Sequence, residues 1–284
     1  MQKFKKKLMS AWKTIITNTA LRTGLLLAII LFALALLAPV LSPYDPYILT
    51  DDLSVPPGSP GHLLGTDKLG HDILSQLLWG ARTSLEIGLV AASIAAIIGT
   101  LIGGIAGYFG GKVDKVIVEF INIFVMTPSF FLILIIVAIF GSNMKYVMIV
   151  IGLTSWPGNA RLMRAQAISL RNRTFIMSCQ AMGESKLSIM FKHIIPNGIF
   201  PIVANTTMRI SGAILTEAGL SFLGLGDPNV ISWGQMISNG KQLMVKAPWI
   251  SVVPGIAVVI TVLTFFLIGD GLNRVIAPKM NANK

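Results

Sequence analysis

Charge is scarce in this sequence. Only 12% of its 284 residues are Asp, Glu, Lys or Arg, against about 25% in an ordinary soluble domain, while 54% are apolar. A water-soluble fold cannot cover its surface with so few charges, so a cytosolic two-domain enzyme is excluded. The apolar content also excludes a disordered chain. Cysteine is reduced to Cys179, which rules out an intrachain disulfide and any metal or redox motif of the usual Cys spacing. A lone cysteine reads as a small apolar filler. Catalytic strings are missing as well. The nearest approach to a Walker A loop is GGKVD at Gly110–Asp114, where Val113 follows Lys112 and the first glycine is out of place. Neither H-E-x-x-H nor G-x-S-x-G occurs. Asp67, His71 and Asp72 could collect a cation, but a turn or helix-capping cluster is the simpler reading, and no metal site is expected. The chain is therefore read as non-catalytic, with no cofactor of its own.

What the sequence does have is long apolar runs. A membrane-crossing helix needs about 20 mostly apolar residues. Six runs qualify: 25–41, 83–109, 116–140, 146–165, 195–223 and 250–268. The first follows Lys3, Lys5, Lys6, Lys7, Lys13 and Arg22 and is too long for a signal-peptide core, so it reads as a retained span. The expected fold is an all-α integral membrane protein with six transmembrane helices. Its parts are an N-terminal segment 1–22, a first helix 23–42, an extracytoplasmic loop 43–80, a five-helix core 81–273 and a tail 274–284.

The net charge of +11 serves orientation rather than nucleic-acid binding. With both termini cytoplasmic, the inside segments 1–22, 110–115, 161–193 and 274–284 hold 17 of the 23 Lys and Arg residues. Asp45, Asp51, Asp52, Asp67, Asp72 and Asp227 fall outside. That asymmetry follows the positive-inside rule and predicts a multi-pass protein of the cytoplasmic membrane.

Three features point to function. Gly99, Gly103, Gly107 and Gly111 recur every fourth residue, a side-chain-free stripe suited to close helix packing or to sliding contact. The fifth span is polar: Asn205, Thr206, Thr207, Arg209, Ser211, Thr216 and Glu217 are costly in lipid and need partners or a wet cavity. The same holds for Glu86 and Glu119 in other spans. Arg209 and Glu217 are two turns apart on roughly one face, so Asn205, Thr207, Arg209, Ser211 and Glu217 are expected to line a translocation path. The third feature is the inside segment 171–196. A short helix from Phe175 to Met182 is followed by Gly183, which allows positive φ. Ser185 then caps a second helix, on which Leu187, Met190, Phe191 and Ile194 form one apolar stripe. Pro196 opens the fifth span. Such a helix–turn–helix is a docking element for a protein groove or a lipid surface.

These residues carry a resemblance. Phe175–Pro196 is similar to the EAA loop of inner-membrane permease subunits in binding-protein-dependent ABC importers: Gly183 matches the loop glycine, Ile195-Pro196 its end, and Asn197 the ending of the peptide and nickel branch. GTDKLGHD (65–72), WGARTSLEIGL, GYFGGKVD, SWPGNARLMRAQ (155–166), ILTEAGLSFLGLG (214–226), SWG (232–234), APW (247–249) and GDGLN (269–273) resemble, in order, the second subunit of dipeptide, oligopeptide and nickel importers. Two positions depart. Met177, Ser178 and Cys179 stand where Glu-Ala-Ala is usual, with Glu184 as a nearby charge, and His71 stands for an arginine. The resemblance implies a permease subunit. It would form half of the path with a homologous permease subunit, receive solute from an extracytoplasmic binding protein and couple to two ATPase subunits. ATP and Mg would sit on those partners. The ATPase contact would use Phe175, Met177, Ser178, Cys179, Gly183, Glu184, Leu187, Met190, Phe191 and Pro196. Peptide is the expected solute, with nickel or a metal chelate as the alternative and sugar left open. A stand-alone secondary transporter or channel is the reading from another class. It is disfavoured because no inverted repeat is visible and such a carrier has no use for a docking helix pair.

Overall fold

The computed structural model describes residues 18–281; the lysine-rich start of the N-terminal segment and the last residues of the tail lie outside the described residues. Ten helices are numbered here in chain order: α1 (Thr19–Leu36), α2 (Ala38–Leu41), α3 (Ile73–Phe109), α4 (Gly111–Met126), α5 (Ser129–Phe140), α6 (Met144–Arg171), α7 (Thr174–Ala181), α8 (Lys186–Phe222), α9 (Trp233–Gly240) and α10 (Trp249–Asn281). Among the described residues no strand forms, so the all-α expectation holds.

The count of six spans is not matched exactly among the described residues. Four helices, α1, α3, α8 and α10, are long and apolar enough to cross a membrane. The expected third span, 116–140, is broken into α4 and α5, which meet at a bend of 76° and together could make a fifth. The break has a local cause. Thr127 precedes Pro128 and is extended, at φ −83 and ψ 123, because the proline ring disfavours helical backbone at the residue before it. The expected fourth span lies in α6, a 28-residue helix. It is long enough to cross but not apolar enough to pass as a span, since Asn159, Arg161, Arg164, Gln166 and Arg171 interrupt its hydrophobic run.

Helix ends follow side-chain chemistry. Asp72 caps α3 by accepting from the Ser75 N–H at 2.8 Å, so the helix begins ten residues before the expected span. At 37 residues and about 1.5 Å per residue, α3 runs well beyond the roughly 30 Å of a hydrocarbon core. α6 lies along it, in the most extensive helix contact of the structure. The glycine stripe makes this approach possible. A Cβ on Gly99 would lie 2.5 Å from the Asn159 Cβ, one on Gly103 would strike the Ala160 carbonyl oxygen, and one on Gly107 would lie 2.7 Å from the Ala167 Cβ. Gly111 is outside the contact, at φ +56 as the first residue of α4. Gly99, Gly103 and Gly107 thus form a packing seam within the chain. Arg164 adds a two-pronged pair to Asp114 at 2.6 and 2.7 Å, tying α6 to the first turn of α4.

α10 packs on α8 and on α1. Asn18 reaches the Gly271 carbonyl at 3.3 Å, and Phe32 meets Phe265 edge to face at 6.4 Å. At the opposite end, the loop before α3 folds back onto the bundle: the Trp249 indole donates to the Thr66 carbonyl at 3.2 Å. α9 is seated there too, its Trp233 donating to the Leu77 carbonyl at 3.0 Å. Leu26, Ile29, Val40, Ile97, Val116, Ile139 and Val259 are among many apolar side chains left exposed, far more than a monomer presents to water.

Candidate functional site

The site has two joined parts, an elbow at one end of the bundle and the polar helix that continues from it. α7 ends in a Schellman turn. Gly183 donates to the Gln180 carbonyl and Glu184 to the Cys179 carbonyl, at 3.0 and 3.1 Å, with Gly183 at φ +79. This is the left-handed position that glycine fills without a Cβ penalty. Ser185 caps the next helix by accepting from the Ser188 N–H at 3.3 Å. Both local expectations are met.

The second helix of the elbow is not separate. Lys186–Ile189, a π turn at Met190–Ile194 and Ile195–Phe222 form one continuous helix, α8. The wide turn has a reason: Pro196 has no N–H, and its ring crowds the carbonyl four residues back. In the π turn Ile195 bonds instead to the Met190 carbonyl, and the Asn197 amide donates to the His193 carbonyl at 2.6 Å. The expected apolar stripe divides into two edges. Met190 and Ile194 are 1% and 0% exposed and pack with Ile176, Ile189 and Met163. Leu187 and Phe191 are 60% and 52% exposed. One face holds the elbow to its own chain and the other is free. Phe175, Met177 and Met182 of the elbow are exposed as well, as is Pro196. A cavity of about 550 Å³ opens between the ends of α3 and α6 and the elbow, lined by Tyr108, Arg171, Met177, Gln180 and Lys186 among others.

Cys179 is buried at the base of the elbow, as a filler would be, but it has polar company. Its sulfur lies 3.8 Å from His193 Nε2. His193 Nε2 is 3.1 Å from Glu184 Oε2, and the Ser188 hydroxyl donates to Glu184 Oε1 at 2.7 Å. Burial, and then the Glu184 carboxylate, push the Cys179 thiol up from its ordinary range. The Ser188 hydroxyl, and then His193, hold Glu184 below the usual carboxylate range. Ser178 is turned to its own helix, donating to the Thr174 carbonyl at 3.0 Å. The sequence reading missed His193 and Ser188 here; nine residues separate Glu184 from His193, a spacing that means nothing until the elbow folds.

Along α8 the expected path residues part company. Ser211 is buried and donates to the Val262 carbonyl of α10 at 3.0 Å. Glu217 is buried against α9, accepting from Ser221 and Ser232, each at 2.7 Å; its other oxygen has no hydrogen-bond partner among the described residues. These two sit inside the chain's own packing. Thr207 is half-buried, its hydroxyl given to the Val203 carbonyl at 2.9 Å. Asn205 donates to Asn159 of α6 at 2.7 Å, and Arg209 is exposed, its guanidinium over Gly158. Asn205, Arg209, Gly212 and Thr216 recur at helical spacing. Gly212 is open, and Thr216 and Asn205 are partly exposed. The open polar face of α8 is therefore this stripe, with Gly158 and Asn159 of α6 beside it. Glu86 and Glu119 are exposed elsewhere.

Asp67, His71 and Asp72 do not converge on one point. Asp67 accepts from the N–H groups of Leu69 and His71 and pairs with the His71 ring at 2.8 Å. Asp72 caps α3 and pairs with His62 at 2.9 Å. The cluster closes a turn and starts a helix, as its simpler reading expected.

Comparison with known proteins fits this architecture. Residues 99–282 match the family model of the binding-protein-dependent transport system inner membrane component, and residues 8–57 match the N-terminal transmembrane domain of oligopeptide transport permease C. The chain is 37% identical to a glutathione transport system permease protein of Pectobacterium atrosepticum, covering 95% of this chain and 91% of that one. It is 38% identical to a dipeptide transport system permease protein of Alkalihalophilus pseudofirmus, over 96% and 90% of the two chains. With the oligopeptide transport system permease protein of Bacillus subtilis it shares 34% identity, over 98% and 93%. In fold it is similar to a chain of the inward-facing MetNI methionine ABC transporter, at a TM-score of 0.57 and 18% identity over 70% of this chain and 95% of that one. An elbow continuous with a polar spanning helix, found in a chain that matches this family along most of its length, leaves one conclusion: the protein belongs to the inner-membrane components of binding-protein-dependent transport systems and is a permease subunit of an ABC importer.

Proposed function

We propose that this chain forms half of a peptide path and is driven through its elbow by separate ATPase subunits. The observation that carries this reading is the free apolar face of Leu187 and Phe191, with Met177 and Met182 also exposed on the elbow, on a helix that runs unbroken into the polar stripe of α8. A rigid helix passes displacement at one end to the other, so an ATPase groove that grips the elbow biases the path. Basic residues collect at this end, Arg171, Arg173, Lys186 and Lys192 among them, which supports a cytoplasmic elbow and cytoplasmic termini. The sequence holds no Walker A loop, which supports assigning ATP and Mg to the partner subunits. An extracytoplasmic binding protein and a homologous permease subunit complete the assembly.

The relatives named above carry glutathione, dipeptide and oligopeptide names. They favour a peptide solute over nickel, and family membership displaces the stand-alone carrier. An exposed arginine at position 209 suits passage of a solute bearing a carboxylate. The test is uptake by the complete importer in proteoliposomes: glutathione, a dipeptide, an oligopeptide and nickel are offered with the binding protein outside and ATP inside. ATP-dependent peptide uptake is expected. Uptake of nickel alone, or uptake by this chain without ATPase, defeats the reading. Arg209→Ala is expected to lower peptide uptake while the ATPase subunits still co-purify; unchanged uptake removes Arg209 from the path.

Gly183→Val tests the turn. No atom lies within 4 Å of a Cβ there, so the cost is backbone conformation alone, about 1–2 kcal/mol or more for a β-branched side chain. ATP hydrolysis is expected to continue with transport reduced. Normal coupling of hydrolysis to uptake counts against a functional role for the turn.

A further inference from the structure

We infer that Cys179, Glu184 and His193 form a binding site for a soft divalent cation of the zinc class, bridging α7 and α8 across the elbow. One ligand atom from each residue lies within 4.8 Å of the others. A tetrahedral zinc with metal–sulfur near 2.3 Å and metal–nitrogen or metal–oxygen near 2.0–2.1 Å sets sulfur and nitrogen about 3.6 Å apart and nitrogen and oxygen about 3.4 Å apart. The observed separations are 3.8 Å from Cys179 Sγ to His193 Nε2 and 3.1 Å from His193 Nε2 to Glu184 Oε2. The three residues come from three backbone settings that are each fixed locally: Cys179 in the last turn of α7, Glu184 just past the glycine of the Schellman turn, and His193 in the π turn of α8. The π turn aims His193 back at α7. Ser188 holds Glu184 from behind at 2.7 Å, as outer groups orient metal ligands.

The chemistry of the set selects the ion. Thiolate with imidazole favours zinc over magnesium or calcium, which take oxygen ligands. On binding, the Cys179 thiol gives its proton to solvent. His193 coordinates through Nε2 with its proton on Nδ1, and Glu184 binds as carboxylate. Two negative ligands against a divalent ion leave the site neutral. The Glu184 and His193 side chains are 24% and 31% exposed, so an ion enters from solvent and the fourth position stays open to water, the arrangement of a regulatory or exchangeable site. Occupancy fixes the angle between α7 and α8. The site rests on these three residues and on no assumption about ATPase docking.

The test uses the purified importer complex without ATP or Mg, titrated with Co2+ as a spectroscopic probe and with Zn2+ in competition. A thiolate-to-cobalt charge-transfer band is expected in the wild type and absent in Cys179→Ser. In His193→Gln and Glu184→Gln, affinity is expected to drop by at least the roughly tenfold to hundredfold that loss of an outer-shell partner costs. A second measurement needs no variant. Cys179 is the chain's one cysteine, so its alkylated peptide is unambiguous by mass spectrometry, and Zn2+ is expected to slow its alkylation. Equal cobalt spectra in wild type and Cys179→Ser, or alkylation at the same rate with and without Zn2+, overturns the site and leaves the three residues as a hydrogen-bonded brace.

Discussion

Leu187→Asp combined with Phe191→Asp is expected to weaken ATPase association on the order of a hundredfold while the chain still inserts and folds. Burying a Leu or Phe side chain is worth about 1.5–3 kcal/mol. About 60% and 52% of these two surfaces is still open in the isolated chain, so roughly half of each contribution remains for a partner to bury. Carboxylates in an apolar groove add a desolvation penalty. Together the lost burial and the penalty exceed the roughly 2.7 kcal/mol that a hundredfold represents. The measurement is ATPase subunit retained per permease on an affinity resin, beside permease recovered from the membrane fraction. Met190→Asp sets the contrast. Met190 is 1% exposed within the chain's own packing, so that variant is expected to reduce recovery of the permease itself. Retention of ATPase by the double variant would take the elbow's free face out of the mechanism.

Gly103→Leu is expected to be the most damaging single change in the membrane region. A Cβ at this position strikes the Ala160 carbonyl oxygen, with the Ala160 carbonyl carbon 2.9 Å away. Those are backbone atoms and cannot rotate aside, and Gly99 and Gly107 lie in the same seam. α3 and α6 must separate over three turns, which also strains the Asp114–Arg164 pair. Overpacking of a core typically costs about 1–3 kcal/mol, and a backbone collision along a whole seam belongs at or beyond the top of that range. Loss of monodisperse protein in detergent, or a large fall in Tm, is the expected result. Gly212→Ala supplies the control, since nothing lies within 4 Å of its Cβ. Equal stability of the two variants would mean that the seam does not hold the bundle.

The elbow shows how far local reasoning reaches. The glycine turn at Gly183 and the cap at Ser185 are properties of a few consecutive residues, and both were legible. The apolar stripe was drawn from the elbow's own sequence, and it divided because only its Met190 and Ile194 edge meets Ile176 and Met163 of the neighbouring helices, while Leu187 and Phe191 stay free. The bend after Met126 had a local signal in Thr127-Pro128. The uninterrupted apolar run 116–140 masked it, because hydropathy measures length and composition but not backbone continuity.

The sequence by itself determined the solvent of this protein, its helical class, the glycine seam and the elbow's turn, because scarcity of charge, four-residue periodicity and glycine conformation are physical facts of neighbouring residues. Only the tertiary structure decided which polar groups face outward. Glu217 meets Ser232 fifteen residues away, Asn205 meets Asn159 forty-six residues away, and Cys179 meets His193 across a turn. Such pairings depend on how helices rotate against one another, and that rotation is set by the packing of the whole bundle.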